Sequence, residues 1–193
     1  MAATLSTMLE IGTKAPDFNL PNIDGNMISL QELRPKVGVL IMFICNHCPY
    51  VKHLNEALVK FANDYREQGI KCIAISSNDV ENYPQDSPEL MKELSEKHQF
   101  PFPYLYDESQ EVAKAYKAAC TPDFFLFDDE LKLFYRGQFD DSRPGNNKPV
   151  TGRDMRNAAD KLIEGESNIE SQIPSMGCNI KWKQGNEPEY FNR

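Results

Sequence analysis

Two kinds of hydrophobic run alternate along this chain. Lys36 to Phe43 (KVGVLIMF), introduced by Pro35, is apolar without a break from Val39, the pattern of a strand buried on both faces rather than an edge with one wet side. Ile70 to Ser76 (IKCIAIS) reads the same way. Between them, Tyr50 to Gln68 carries apolar residues at Val51, Leu54, Ala57, Leu58, Phe61, Ala62 and Tyr65, a helical stripe that stops at Gly69. Strand, helix and second buried strand make a βαβ crossover, so a parallel sheet is predicted.

The flanking segments complete the picture. Lys14 to Leu33 alternates in short pieces about Asn22-Ile23-Asp24-Gly25, which predicts a small hairpin lying over one end of the core. Ser87 as N-cap and Pro88 at the first helical position start a helix that runs to about His98. Tyr104 to Tyr106 reads as a short strand and Gln110 to Ala119 as a helix. Phe124 to Phe127 is a strand that Asp128-Asp129-Glu130 turns into Leu131 to Arg136, an antiparallel hairpin. Gly137 to Val150 is a loop by its Gly, Pro, Asn and Asp, and Thr151-Gly152-Arg153-Asp154 resembles a capping box for a helix ending near Glu164. Beyond Gly165 the periodicity fades. The expected fold is α/β, with a central mixed sheet flanked by helices and an N-terminal β-hairpin extension. It forms one domain over 1–193, with 166–193 as a C-terminal tail.

Composition mainly removes options. A chain of 193 residues with 40% hydrophobic residues can bury a core. A formal charge of −8 offers no basic surplus to displace counterions, so nucleic acid is not the expected partner. The longest apolar run, Val39 to Cys45, is far short of the roughly 18 residues of a membrane span. MAATLSTMLEIG has neither the basic start nor the apolar core of a signal segment. No membrane partner and a cytoplasmic location are expected. The five cysteines, Cys45, Cys48, Cys72, Cys120 and Cys178, are odd in number and scattered, unlike the dense even set of a secreted scaffold. Oligomeric state leaves no mark.

Chemistry concentrates in Phe43 to His53 (FICNHCPYVKH). A cysteine is a nucleophile as thiolate, and a helix N-terminus stabilises that charge. Cys45 stands where strand is expected to become helix, so it is the candidate attacking thiol. Cys48, one turn on, is placed to attack a mixed disulfide and release a reduced product. A protonated His47 would favour the Cys45 thiolate further and make the pair more oxidising. The competing readings are two core cysteines, or a metal clip. A structural zinc site needs about four ligands. Neither His53, read as lying on the exposed side of its helix, nor His98 has the spacing to supply them, so no metal and no cofactor are expected. Cys72, inside a strand, is read as core.

With CNHC after a buried strand, CTPDFFLF from Cys120 and a GxxAPDFxL segment at Gly12 to Leu20, the chain resembles thioredoxin-fold proteins. It is most similar to the redoxin branch, the AhpC/TSA and peroxiredoxin-like group. Ser76-Ser77-Asn78-Asp79, the DDSRPG loop and GCNIKWK are further points of likeness to a peroxiredoxin-like thioredoxin-family group. The resemblance implies a cis Pro122 lying against the cysteine pair and a Thr121 backbone that pairs with substrate. It implies a thiol–disulfide oxidoreductase with Cys45 as nucleophile and Cys48 resolving, acting on a protein or small-molecule disulfide and served by a thiol reductant. The alternative is a thiol peroxidase, with Cys45 reacting with peroxide and Cys48 or Cys178 resolving. Cys178 enters because Cys, Trp182 and Tyr190-Phe191 resemble the C-terminal region of two-cysteine peroxiredoxins. The resemblance also brings Cys120 and Arg136 near the cleft, and Arg143 and Lys148 are candidates for reading an anionic partner. The departures are specific. Met42 stands where a peroxidase has a hydroxyl three residues before its cysteine, Ile44 replaces the Trp of thioredoxin, and Val37 to Ile44 carries no acid. The copper-delivery branch of the fold is disfavoured by the absence of its Cys-x-x-x-Cys spacing.

Overall fold

The computed structural model describes residues 3–33, 35–167 and 171–192. In chain order the elements begin with β1 (Ala3–Leu5), β2 (Asn19–Pro21), β3 (Met27–Ser29), α1 (Leu30–Leu33) and β4 (Gly38–Phe43). They continue with α2 (Pro49–Arg66), β5 (Ile70–Ser76), α3 (Pro88–His98), β6 (Tyr104–Tyr106), α4 (Glu111–Ala115) and β7 (Cys120–Thr121). The last four are β8 (Asp123–Asp128), β9 (Leu133–Arg136), α5 (Arg153–Glu164) and β10 (Met176–Asn179).

The main sheet runs β6-β5-β4-β8-β9, with β5 parallel to β4 and to β6, and β8 antiparallel to β4 and β9. β4 is buried along its whole length, as its uninterrupted apolar run requires. Its even-numbered residues Leu40 and Met42 face one layer, with Val51, Leu54, Leu58 and Phe61 of α2 and Met155 and Ala158 of α5. Its odd-numbered Val39, Ile41 and Phe43 face the other, with Phe18, Leu20, Tyr116 and Trp182. At about 1.5–3 kcal/mol for each large apolar side chain taken out of water, four such residues on α2 hold the helix firmly against the sheet. The helix N-terminus is therefore a fixed point. Gly38 marks how closely the layers approach, since a Cβ there would lie 2.4 Å from the Phe127 carbonyl oxygen.

The predicted hairpin forms as β2 and β3, tied at Asn22 to Leu105 at the sheet edge. Three expectations need correction. The helix read over Gln110 to Ala119 is only α4, because Gln110 and Lys117 take left-handed backbone angles at its two ends. The capping box before α5 does not form. Gly152 is the N-cap at φ +66, and buried Asp140 accepts from the Thr151 and Gly152 amides at 2.7 and 2.6 Å. The third correction bears on the site. The segment read as a tail supplies β10, the middle strand of a second sheet ordered β1-β10-β7. Behind it Ile180 and Trp182 are buried, with Trp182 edge-on to Tyr190. Among the described residues no helix is long and apolar enough to cross a membrane.

Candidate redox site

β4 carries the chain to the C-terminal end of the sheet, and Ile44 still donates its amide to the Ile75 carbonyl at 3.0 Å. Cys45 follows, then a bend at Asn46 and His47, then Cys48 with extended backbone angles as the N-cap of α2 and Pro49 as its first residue. The helix start thus belongs to Cys48 rather than Cys45. Pro49 fits there because the first helical position has no amide bond to lose. Both thiols are buried, Cys45 at 1% and Cys48 at 0% exposure.

Asp86 organises the bend. It lies in the turn just before α3 and is itself fully buried. Its Oδ1 accepts from the amides of Asn46 at 2.8 Å and His47 at 3.2 Å, and its Oδ2 from His47 Nδ1 at 2.6 Å and Asn78 Nδ2 at 2.8 Å. Burial pushes the Asp86 carboxyl up, but the hydrogen bonds from His47 and Asn78 and the charge of His47 outweigh it and hold the group below the usual carboxylate range. Asn46 is fixed further by the Tyr104 hydroxyl, which donates to its Oδ1 at 3.1 Å. Sequence reading missed Asp86, Asn78 and Tyr104, since nothing in their spacing ties them to residues 45–48. Asp86 sits just before a helix start that the sequence does show, and Ser87 caps α3 as expected, accepting from Leu90 N at 3.4 Å.

Thr121 meets both sulfurs. It precedes a cis bond to Pro122. Its hydroxyl is 3.4 Å from Cys45 Sγ, and its carbonyl oxygen is 3.0 Å from Cys48 Sγ. The thiols titrate as one set. The Cys45 thiol donates to Cys48 and, aided by the S–H and N–H of Cys178, brings Cys48 down to about 5 against the opposing effect of burial. The same donation, then burial, then the Asp86 charge push Cys45 well up, with the Thr121 hydroxyl pulling the other way. The Thr121 carbonyl, an acceptor, takes its hydrogen bond from the Cys48 thiol and so favours a proton on that sulfur.

Cys178 lies on β10, directly opposite Thr121 in the β7 ladder and opposite Ala3 in the β1 ladder. Gly177 beside it has no room for a side chain, because a Cβ would sit 1.9 Å from the Thr121 carbonyl oxygen. Ser175 Oγ donates to the Pro122 carbonyl at 2.7 Å. The strand is thus laid tightly over the cis-proline turn.

The remaining candidates sort as follows. Cys120 is buried and turns its Sγ to the Pro122 carbonyl at 3.5 Å, with burial raising its pKa well above normal. Arg136 is away from the sulfurs on β9, where its Nη1 donates to Gln172 Oε1 at 2.8 Å. Arg143 is consumed inside its loop by the Asp140 and Ser142 carbonyls and Gln138, and Lys148 pairs with Asp141 at 2.6 Å. His53 is half-buried rather than exposed, its Nε2 2.7 Å from Ser142 Oγ. Cys72 is core, with its thiol raised to about 12 by burial. One residue unread in the sequence is Asp123, just after Pro122. It is fully buried and raised to about 7 by burial, despite a hydrogen bond from the Ala119 amide. Among the described residues, Cys45, His47 and Asp86 could together hold a metal ion, one donor atom from each lying within 4.8 Å of the others. An ion there would have to displace the donors that already occupy both Asp86 oxygens.

Known proteins resemble this chain over much of its length. The AhpC/TSA family profile matches residues 11–136. The thiol-disulfide oxidoreductase ResA of Halalkalibacterium halodurans is 27% identical over 128 residues, 66% of this chain and 68% of the relative. An uncharacterized conserved protein from Geobacillus kaustophilus superposes with a TM-score of 0.93 at 56% identity, covering 95% of this chain and 97% of the other. The thioredoxin domain of a thiol-disulfide oxidoreductase from Bacteroides vulgatus superposes at 0.63 with 22% identity, covering 80% and 99%, and shows the thioredoxin-like fold.

Proposed function

The chain belongs to the AhpC/TSA family and is an oxidoreductase, and on that premise we propose that it exchanges disulfides through the Cys45–Cys48 dithiol. The observation that carries the reading is the convergence of Thr121 on both sulfurs of the pair. With the proton on Cys48 held by the Thr121 carbonyl, loss of the Cys45 proton leaves the thiolate on Cys45, where the Thr121 hydroxyl can donate to it. Cys45 attacks one sulfur of the substrate disulfide, the substrate's other sulfur leaves as thiolate, and a mixed disulfide remains on Cys45. Cys48 then loses its proton and attacks Cys45 Sγ, the second substrate sulfur leaves, and the Cys45–Cys48 disulfide is formed. An external thiol reductant returns the pair to the dithiol. A groove lined by Asn46, His47, Lys52, Gln85 and Leu94 opens beside the residues that follow Cys45, and this is the proposed approach for substrate. His47, oriented by Asp86, lines it.

The reading extends to a cytoplasmic setting, where a thiol pool keeps such a pair reduced. Peroxide ranks behind disulfides as substrate, because Met42 packs into the core where a hydroxyl would orient peroxide and Arg136 is held by Gln172. The test is reduction of insulin disulfides with dithiothreitol as the electron source. Cys45→Ser is expected to lose turnover at least a hundredfold, and Cys48→Ser to accumulate a mixed disulfide on Cys45. Wild-type turnover by Cys45→Ser would sink the proposal.

A further inference from the structure

Three cysteines, not two, lie in the buried layer at the start of α2: Cys45, Cys48 and Cys178. Cys178 pairs with Thr121 across the β7 ladder, and the Thr121 carbonyl oxygen is 3.0 Å from Cys48 Sγ, which sets Cys178 beside Cys48, whose pKa it helps to lower by hydrogen bonding. The placement is held from two sides, by the β1 and β7 ladders, and by a glycine that lets the strand approach the Thr121 carbonyl as no other residue could. Cys178 is 4% exposed, so Cys48 is the sulfur it is poised to meet rather than an external disulfide.

We propose that Cys178 is a third redox thiol, which accepts the disulfide from the Cys45–Cys48 pair by attacking Cys48. The inference rests on the dithiol activity proposed above, which forms the Cys45–Cys48 bond. In the exchange Cys178 gives up its proton, and its electron pair makes the Cys48–Cys178 bond. The Cys45–Cys48 bond breaks, and Cys45 leaves as a thiolate able to take up that proton. One disulfide is replaced by one disulfide, so the step needs no further oxidant. Its consequence is that Cys45 becomes a free nucleophile again, while the oxidised bond is stored beneath β10. Burial and the hydrogen bond to Cys48 hold the Cys178 thiol up at about 11, so the exchange speeds up about tenfold for each pH unit over the neutral and mildly alkaline range.

The experiment uses the full chain, oxidised with one equivalent of diamide, freed of excess reagent and exposed to N-ethylmaleimide. Non-reducing peptide mapping then identifies the linked cysteines. In a locked Cys45–Cys48 disulfide Cys45 cannot be labelled, whereas after the exchange it can. The expected result is a Cys48–Cys178 peptide pair in the wild type, with Cys45 labelled at least tenfold faster than in Cys178→Ala. A wild-type map containing Cys45–Cys48 alone, with Cys45 labelled no faster than in Cys178→Ala, overturns the inference and leaves the dithiol activity standing. Absence of any Cys45–Cys48 link in Cys178→Ala overturns both. Should that variant not fold, the wild-type map decides by itself, through the presence or absence of the Cys48–Cys178 pair.

Discussion

Replacing Asp86 by Asn should make the protein less stable and Cys45 more acidic, two effects that ordinary damage to a site does not combine. The substitution keeps the shape, and the amide oxygen can still accept from the Asn46 and His47 backbone. The new NH2, however, takes the place of Oδ2 and faces the donors His47 Nδ1 and Asn78 Nδ2, at 2.6 and 2.8 Å in the native protein. Each charge-assisted bond is worth about 1.5–3 kcal/mol, so a loss of at least about 3 kcal/mol is expected. For a domain of this size that corresponds to a fall of about 6–12 °C in Tm. Asp86 also raises the Cys45 pKa by its charge, so its neutralisation lowers it. Urea denaturation gives the first quantity. The pH profile of iodoacetamide alkylation in a Cys48→Ser background gives the second. A third check comes from acid. The Asp86 pKa is depressed in the folded state, so its stabilisation is present above the ordinary carboxylate range and is lost as pH falls through its own lower value. The stability gap between wild type and variant should therefore close in acid. A Cys45 profile displaced to higher pH, or unchanged stability, would refute the reasoning.

Two further substitutions test the ground around the pair. Asp123 is raised from 3.8 to about 7, so between those values the native chain holds a proton that the unfolded chain has lost. Stability should fall as pH rises through this window, by about 1.4 kcal/mol per unit, and Asp123→Asn should flatten the fall; parallel curves for the two proteins would dismiss the assignment. Gly177→Ala puts a methyl group 1.9 Å from a backbone oxygen that cannot swing aside. It should cost about 1–3 kcal/mol or more and speed labelling of Cys48 by a thiol reagent under native conditions. Wild-type stability together with wild-type labelling would show that β10 does not cover the pair as described.

What could be read in advance followed from local rules. The uninterrupted run of β4 and the stripe of α2 depend on burial pattern alone, and both appear within two residues of their predicted ends. Cys45 and Cys48 were legible because two thiols three apart after a buried strand have few other uses, and Thr121-Pro122 because of family resemblance. Cys45 is the cysteine the sequence reading sets at the helix N-terminus, but the N-cap is Cys48, three residues on. Asp86 was illegible for a different reason: its partners are backbone amides and an imidazole some forty residues earlier, and only the fold brings them together. β10 was missed because Met-Gly-Cys-Asn has no apolar alternation. What makes it a strand is a free edge on each side, a property of β1 and β7 rather than of its own sequence.

The order of synthesis gives that strand one more consequence. β4, α2 and β5 can pack as soon as Ser76 has left the ribosome, which sets Cys45 and Cys48 between strand and helix early. β1 and β7 must wait for β10, which is made after both, before their small sheet can close. A pairing between residues so far apart in the chain is also slow to find. A growing chain therefore presents an assembled dithiol with its cover still unmade. Thiols and disulfides in the surrounding solution have their freest access to it then, before the protein is finished.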